Sequence, residues 1–202
     1  MKQAVSLLPS SSVFRPALRV LGAVLFAVAA AGAHADDYAD VNQLLRQGKA
    51  AEALTKADAY IAGKPRDPQM RFLRGVILTE QGKPADATNV FVQLTQDFPE
   101  LPEPYNNLAA LYAQQSKFDL ARDALENAIR LNPNYATAHE NLGDVYARLA
   151  AQSYAKAQQL ASTNASAAPK LALIRQIFIN TPASASTLPA APTEARKPTH
   201  TK

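Results

Sequence analysis

Residues 81–87 read QGKPADA. Thirty-four positions earlier, residues 47–53 read QGKAAEA, and thirty-four later, residues 115–121 read QSKFDLA. An interval of this size, held fixed, marks a chain built from stacked copies of one supersecondary unit, each too small to bury its own apolar face alone. Frames beginning at residues 34, 68, 102 and 136 align without insertion. Their fifteenth position holds Gly48, Gly82, Ser116 and Ala150, and their twentieth holds Ala53, Ala87, Ala121 and Ala155. Their thirty-second holds Pro65, Pro99 and Pro133, with Ala167 in the fourth frame.

Each frame has room for two helices. In the third, Tyr105, Leu108, Ala109, Leu111 and Tyr112 recur at spacings of three and four, the signature of one apolar helix face. Ser116 interrupts that pattern where the chain must turn. A second helix follows, with Ala121, Leu125, Ala128 and Ile129 on one side. Glu52, Asp86 and Asp119 fall in the first turns of the second helices, where a carboxylate complements the helix dipole. Pro84 suits a first helical position, where a missing N–H costs little. The prolines at position 32 end each pair, because proline cannot continue a helix. The recurrent alanines allow facing helices to approach closely.

The pattern resembles the tetratricopeptide repeat. That family has an aromatic at position 4, Leu-Gly at 7 and 8, an aromatic at 11, Ala at 20, an aromatic at 24, Ala at 27 and Pro at 32. The third frame carries it through Tyr105, Leu108, Tyr112, Ala121, Ala128 and Pro133, and the fourth through Leu142, Gly143 and Tyr146. The second keeps Gly75, Gly82, Ala87, Phe91 and Pro99 but has Arg71 and Arg74 where the family has its aromatic and Leu. The first is the weakest. The resemblance implies an all-α tetratricopeptide-repeat solenoid of about four antiparallel helix pairs, with repeats at 36–67, 68–101, 102–135 and 136–169.

The ends fit that expectation. Stacked repeats leave an open apolar face at each terminus. Residues 169–179, PKLALIRQIFI, place Leu171, Ile174, Ile177 and Phe178 on a stripe, so a capping helix is expected over 170–179, starting near Pro169. Residues 180–202, rich in Pro, Ala, Ser and Thr and without aromatics, are expected to be a disordered tail. At the other end Lys2, Arg15 and Arg19 precede an apolar run from Val20 to Ala31, and Ala33-His34-Ala35 follows. That is the layout of a secretory signal peptide over 1–35. The alternative, an uncleaved membrane anchor, needs ~20 apolar residues, more than this run supplies.

Cleavage before Asp36 changes the charge argument. The net charge of +4 invites a nucleic-acid reading, but three of the 21 basic residues and none of the 17 acidic ones precede Asp36. The remaining chain is close to neutral and has no basic block, so no nucleic-acid partner is expected. The sequence has no cysteine, which leaves apolar packing to stabilise an exported chain and excludes a lipidated N-terminal Cys. A soluble periplasmic protein, with no membrane anchor after cleavage, is the expectation.

No catalytic residue, cofactor or metal site is expected. His200 is in the tail, and His139 takes the aromatic position of the fourth repeat, where a packed, partly buried ring is expected. No HExxH, cysteine cluster or acidic calcium loop appears, and the QGK triplets lack the phosphate-loop pattern. What remains is a surface. The resemblance implies that first helices line a concave groove, into which positions 2, 5, 6, 9, 12 and 13 point. In the third frame these are Glu103, Asn106, Asn107, Ala110, Ala113 and Gln114. In the fourth they are Thr137, Glu140, Asn141, Asp144, Ala147 and Arg148. Asn106, Asn107, Gln114, Glu140, Asn141, Asp144 and Arg148 are therefore the expected peptide contacts. An Asn amide both donates and accepts, so Asn107 and Asn141 can pair with an extended peptide backbone. Equally, they can tie neighbouring repeats together. Some family members clamp a terminal carboxylate with a Lys/Asn/Arg set, but Tyr38 and Leu73 stand where Lys and Asn would be needed. The expectation is a non-enzymatic adaptor or scaffold for a protein or peptide partner. A folding or assembly factor for exported proteins is the other reading.

Overall fold

Every elbow of the repeat turns on one residue in a left-handed backbone conformation. The computed structural model describes residues 37–161 and 166–180; residues 1–36, with the expected signal peptide, residues 162–165 and the expected tail beyond Asn180 lie outside it. Among the described residues all regular elements are helices. They are α1 (residues 37–46), α2 (Ala50–Gly63), α3 (Pro68–Glu80), α4 (Pro84–Asp97), α5 (Pro102–Gln114), α6 (Phe118–Leu131), α7 (Ala136–Leu160) and α8 (Ala167–Asn180). Gly48, Gly82 and Ser116 have φ of 71°, 68° and 58°. At each, the amide one residue further on reaches back five residues to close the preceding helix. Lys49 N donates to Leu44 O, Lys83 N to Leu78 O and Lys117 N to Tyr112 O, each at 2.9 Å. This is the hydrogen-bond pattern of a left-handed helix C-terminus, where Gly avoids the steric penalty of a Cβ. The next helix begins two residues later. Pro65, Pro99 and Pro133 each follow the end of a second helix by two residues, as expected of a residue that cannot continue one.

Consecutive helices pack on one another throughout, giving an antiparallel solenoid. Its main core runs from α3 to α7 through Phe72, Leu78, Phe91, Leu94, Leu108, Leu111, Leu125 and Val145. A second cluster of Val41, Ala53, Ala57, Met70, Leu73 and Ile77 joins α1 and α2 to α3. The alanines at position 20 of the first three frames, Ala53, Ala87 and Ala121, are fully buried. Position 8 is matched to position 24 of the same frame. Gly75 faces Phe91, whose ring fills the space a Cβ would occupy. Val41 with Ala57, and Ala109 with Leu125, divide the volume differently at the same two places, and all four are buried.

The second frame's departures from the family pattern have partners of their own. Arg71 Nη1 lies 2.7 Å from Asp97 Oδ2, with its guanidinium over the Phe98 ring, and Arg74 Nε donates to Asp58 Oδ1 at 2.7 Å. Repeat one is locked to repeat two by tyrosines. Tyr38 and Tyr60 hydroxyls both donate to Asp67 Oδ2, at 2.5 and 3.2 Å, while Asp67 Oδ1 accepts from Met70 N and caps α3.

The fourth frame departs from expectation. Its elbow is absent, and α7 runs unbroken through Ala150 to Leu160. Ala150 has the highest helix propensity where its counterparts are Gly, Gly and Ser, and no proline follows until Pro169. The fourth pair is therefore α7 with α8, and α8 begins at Ala167, two residues before Pro169. Leu171 and Ala167 are buried against α7, with Ile174 and Phe178 half-buried beside them, whereas Ile177 of the expected apolar stripe is exposed.

Candidate functional site

The surface foreseen on the first helices is centred on α5 and α7, whose hydrogen bond is made by two asparagines. Asn141 Nδ2 donates to Asn106 Oδ1 at 2.9 Å, across 35 residues of sequence. Asn106 is 2% exposed. Burying a primary amide without a partner is costly, and here the partner comes from the next repeat. Asn107 is 4% exposed, and its Nδ2 donates to the Glu103 carbonyl oxygen one turn earlier at 2.9 Å. Of the two roles left open by the sequence, Asn141 has the tie between repeats, while Asn107 is turned into its own helix. At these exposures Asn106 and Asn107 offer little surface to a ligand.

The residues that do face solvent are Gln114, Glu140, Asp144 and Arg148. Ala110, Ala113 and Ala147 are half-buried between them and make a low floor. Arg148 is partly engaged, because its guanidinium carbon lies 3.8 Å from the centre of the Phe178 ring on α8. Nothing in the sequence pattern pointed to that stacking, since it depends on α7 continuing past its expected turn. At the edge of the surface, Glu103 Oε2 and the Tyr135 hydroxyl are buried without a protein hydrogen bond. Burial first, and the nearby Glu103 charge second, push the Tyr135 hydroxyl up to about 12. Burial also raises the Glu80 carboxyl, at the last groove position of the second frame.

The carboxylate-clamp positions hold other chemistry. Tyr38 is bonded to Asp67, and Leu73 is buried. His139, expected to be packed, is exposed instead, and its Nε2 donates to the Pro133 carbonyl oxygen at 2.9 Å. The reason is the missing elbow: α8 folds back along the later half of α7, where its Phe178 meets Arg148, and leaves His139 uncovered. Among the described residues no three acidic or histidine side chains gather into a metal-binding group, and no helix is long and apolar enough to cross a membrane.

A family model described as a TPR repeat matches residues 111–149, and one described as a tetratricopeptide repeat matches residues 38–95. Similar solved structures include MamA, at 21% identity and TM-score 0.52 over 68% of this chain and 84% of that one. The first TPR of Spaghetti (RPAP3) bound to the HSP90 peptide SRMEEVD aligns at 22% identity and TM-score 0.52, covering 55% of this chain and 88% of its own. The second TPR domain of the human RPAP3 protein, in complex with the HSP70 peptide SGPTIEEVD, aligns at 15% identity and TM-score 0.51 over 55% and 92%. At these identities the shared feature is the fold. With a 34-residue period, left-handed elbows and both family models in agreement, this chain carries tetratricopeptide repeats and has the tetratricopeptide-repeat fold.

Proposed function

We propose that this protein is a non-enzymatic adaptor, exported to the periplasm, that holds an extended polypeptide segment across the exposed face of α5 and α7. The observation that carries the reading is an alanine floor bordered by Gln114, Glu140 and Asp144, with α5 and α7 held in register by the Asn141–Asn106 bond. Small residues let a peptide backbone approach closely, and the open carboxylates select its charge. Two similar structures, both RPAP3 domains, hold short peptides ending in EEVD, which supports a peptide-binding role. Those peptides are acidic. Here Tyr38 and Leu73 occupy the clamp positions and Glu140 and Asp144 stand open, so the segment bound is neutral or basic. Asn106 and Asn107 set the shape of the face, and Arg148, stacked on Phe178, borders its end.

A photo-crosslinker placed at Gln114 in living cells captures the partner, and its segment is then titrated against the variant Glu140→Lys/Asp144→Lys. About tenfold weaker binding or more, with an unchanged melting temperature, is expected for two charge reversals at a partly desolvated contact. Undiminished affinity would remove the α5–α7 face from the proposal. Capture of many unrelated unfolded chains would point to the folding-factor reading. Export is checked separately: the first residue of the protein recovered from the envelope is expected to be Asp36, and retention of residues 1–35 would overturn the periplasmic assignment.

A further inference from the structure

Helix α8 ends on the stripe of α7 that faces the peptide site. Lys170 lies over the Tyr154 ring, 5.5 Å from its centre, and the Phe178 ring meets the Arg148 guanidinium at 3.8 Å. As the numbering rises along α8 it falls along α7, so the two packed helices are antiparallel and α8 points toward the start of α7. On the same side of α7, about one and two turns nearer that start, Arg148 is followed by Asp144 and Glu140. Both carboxylates are exposed. The chain leaves α8 at Asn180, two residues beyond Phe178. It is therefore released at the end of the α5–α7 face and directed along it.

The face and the segment that follows have opposite charge. Among the groove positions of the third and fourth repeats, Glu140 and Asp144 are exposed and Glu103 is half-buried, while the single basic residue, Arg148, is engaged by Phe178. Residues 181–202 carry Arg196, Lys197 and Lys202 against Glu194 alone. Apart from Leu188 and Glu194, every residue between Asn180 and Arg196 is Pro, Ala, Ser or Thr. Small side chains of this kind suit a floor of Ala110, Ala113 and Ala147, and Pro182, Pro189 and Pro192 oppose helix formation, as a segment held extended requires. The reach is ample. Arg148 and Glu140 are about 12 Å apart along α7. The 16 residues from Asn180 to Arg196 can span up to about 50 Å.

We propose that residues 181–202 lie along the α5–α7 face of their own chain, with Arg196 and Lys197 against Glu140 and Asp144, so that a partner binds only by displacing them. This rests on the α5–α7 face being the peptide site. A weak contact is enough, because the segment is tethered beside its target. Over so short a link the effective concentration is on the order of 1 mM, so a contact with a dissociation constant of about 0.1 mM leaves the face filled about ten times more often than open. A competing peptide then binds about tenfold more weakly than it would to an open face.

The test uses the protein recovered from cells with residues 181–202 intact. Because the sequence has no cysteine, Thr199→Cys accepts a single nitroxide label. The label is expected to broaden the backbone amide resonances of Gln114, Glu140 and Asp144, and to broaden none of them in a mixture of labelled protein with isotope-enriched wild type. Arg196→Ser/Lys197→Ser, beyond the last described helix, should abolish the broadening. A synthetic peptide of residues 181–202 should bind that variant about tenfold more tightly than it binds the wild type, whose face is already filled. Absence of broadening, broadening in the mixture (a second copy's segment), broadening that survives Arg196→Ser/Lys197→Ser, or equal peptide affinity for the two proteins would each overturn the proposal. None of these measurements needs the partner, so the α5–α7 peptide face still stands or falls on the partner's affinity for Glu140→Lys/Asp144→Lys.

Discussion

Position 8 is glycine in both the second and the fourth repeat, and the structure gives the same substitution opposite signs at the two sites. An alanine Cβ at residue 75 would lie 2.6 Å from Phe91 Cζ and 2.7 Å from Cε1. Carbon atoms rest at about 3.5–4.0 Å, so the ring would have to retreat by roughly 1 Å. It has nowhere to go, because Phe91 is fully buried and packs edge-on against Phe72 with ring centres 5.6 Å apart. Overpacking of this kind costs about 1–3 kcal/mol, and the better helix propensity of alanine returns up to about 1 kcal/mol. Gly75→Ala is therefore expected to destabilise by about 1–2 kcal/mol, a fall in melting temperature of roughly 2–8 °C for a chain of this size. At Gly143 the added Cβ meets nothing, so only the propensity term acts, and Gly143→Ala should raise the melting temperature by about 2–4 °C. The third repeat suggests the repair, since it pairs Ala109 with Leu125 at the same two places. Phe91→Leu alone should cost about 1 kcal/mol or more in lost packing. Combined with Gly75→Ala it should cost less than the sum of the two, by about 0.5 kcal/mol or more. Thermal unfolding by circular dichroism reads all four proteins. Equal shifts for Gly75→Ala and Gly143→Ala, or strict additivity in the double variant, would refute the reasoning.

Removing the amide in Asn141→Ala leaves the buried Asn106 without its partner, an expected loss of about 1–3 kcal/mol seen as a lower melting temperature; an unchanged one would mean that the bond does not fasten the repeats. Ser116→Gly should stabilise by about 1 kcal/mol, because a non-glycine residue at φ 58° bears a steric penalty that glycine escapes; a loss of stability in urea titration would contradict the elbow geometry. Tyr135 keeps its proton in the folded state up to about 12, against an ordinary 10. Below pH 10 both states are protonated and nothing changes, while between 10 and 12 the unfolded state alone ionises, so stability should fall as pH rises through that window. Tyr38, raised in the same direction by burial and its bond to Asp67, adds to the fall, and Tyr135→Phe should make it shallower. An unaltered pH profile in that variant would remove Tyr135 from the account.

Most of the fold was legible in the linear sequence because the features that define it are local. The elbows depend on the left-handed tolerance of Gly48 and Gly82, the helix ends on Pro65, Pro99 and Pro133, and the apolar faces on spacings of three and four. Each is a property of a few neighbouring residues, and the 34-residue period repeats the same decision three times. The fourth elbow also had a local signal: Ala150 lacks that tolerance and Ala167 replaces the proline, so nothing stops α7. What the sequence could not decide was which side chains meet across repeats. Asn141 finds Asn106 only because stacking brings residues 35 apart into contact, and that contact turns an expected ligand-binding amide into a fastening. His139 and Gly143 carry the residue pattern of packed positions, yet whether they are covered depends on where a helix twenty residues away ends up. Burial is set by the sum of distant neighbours rather than by the residue itself, and only the tertiary structure supplies that sum.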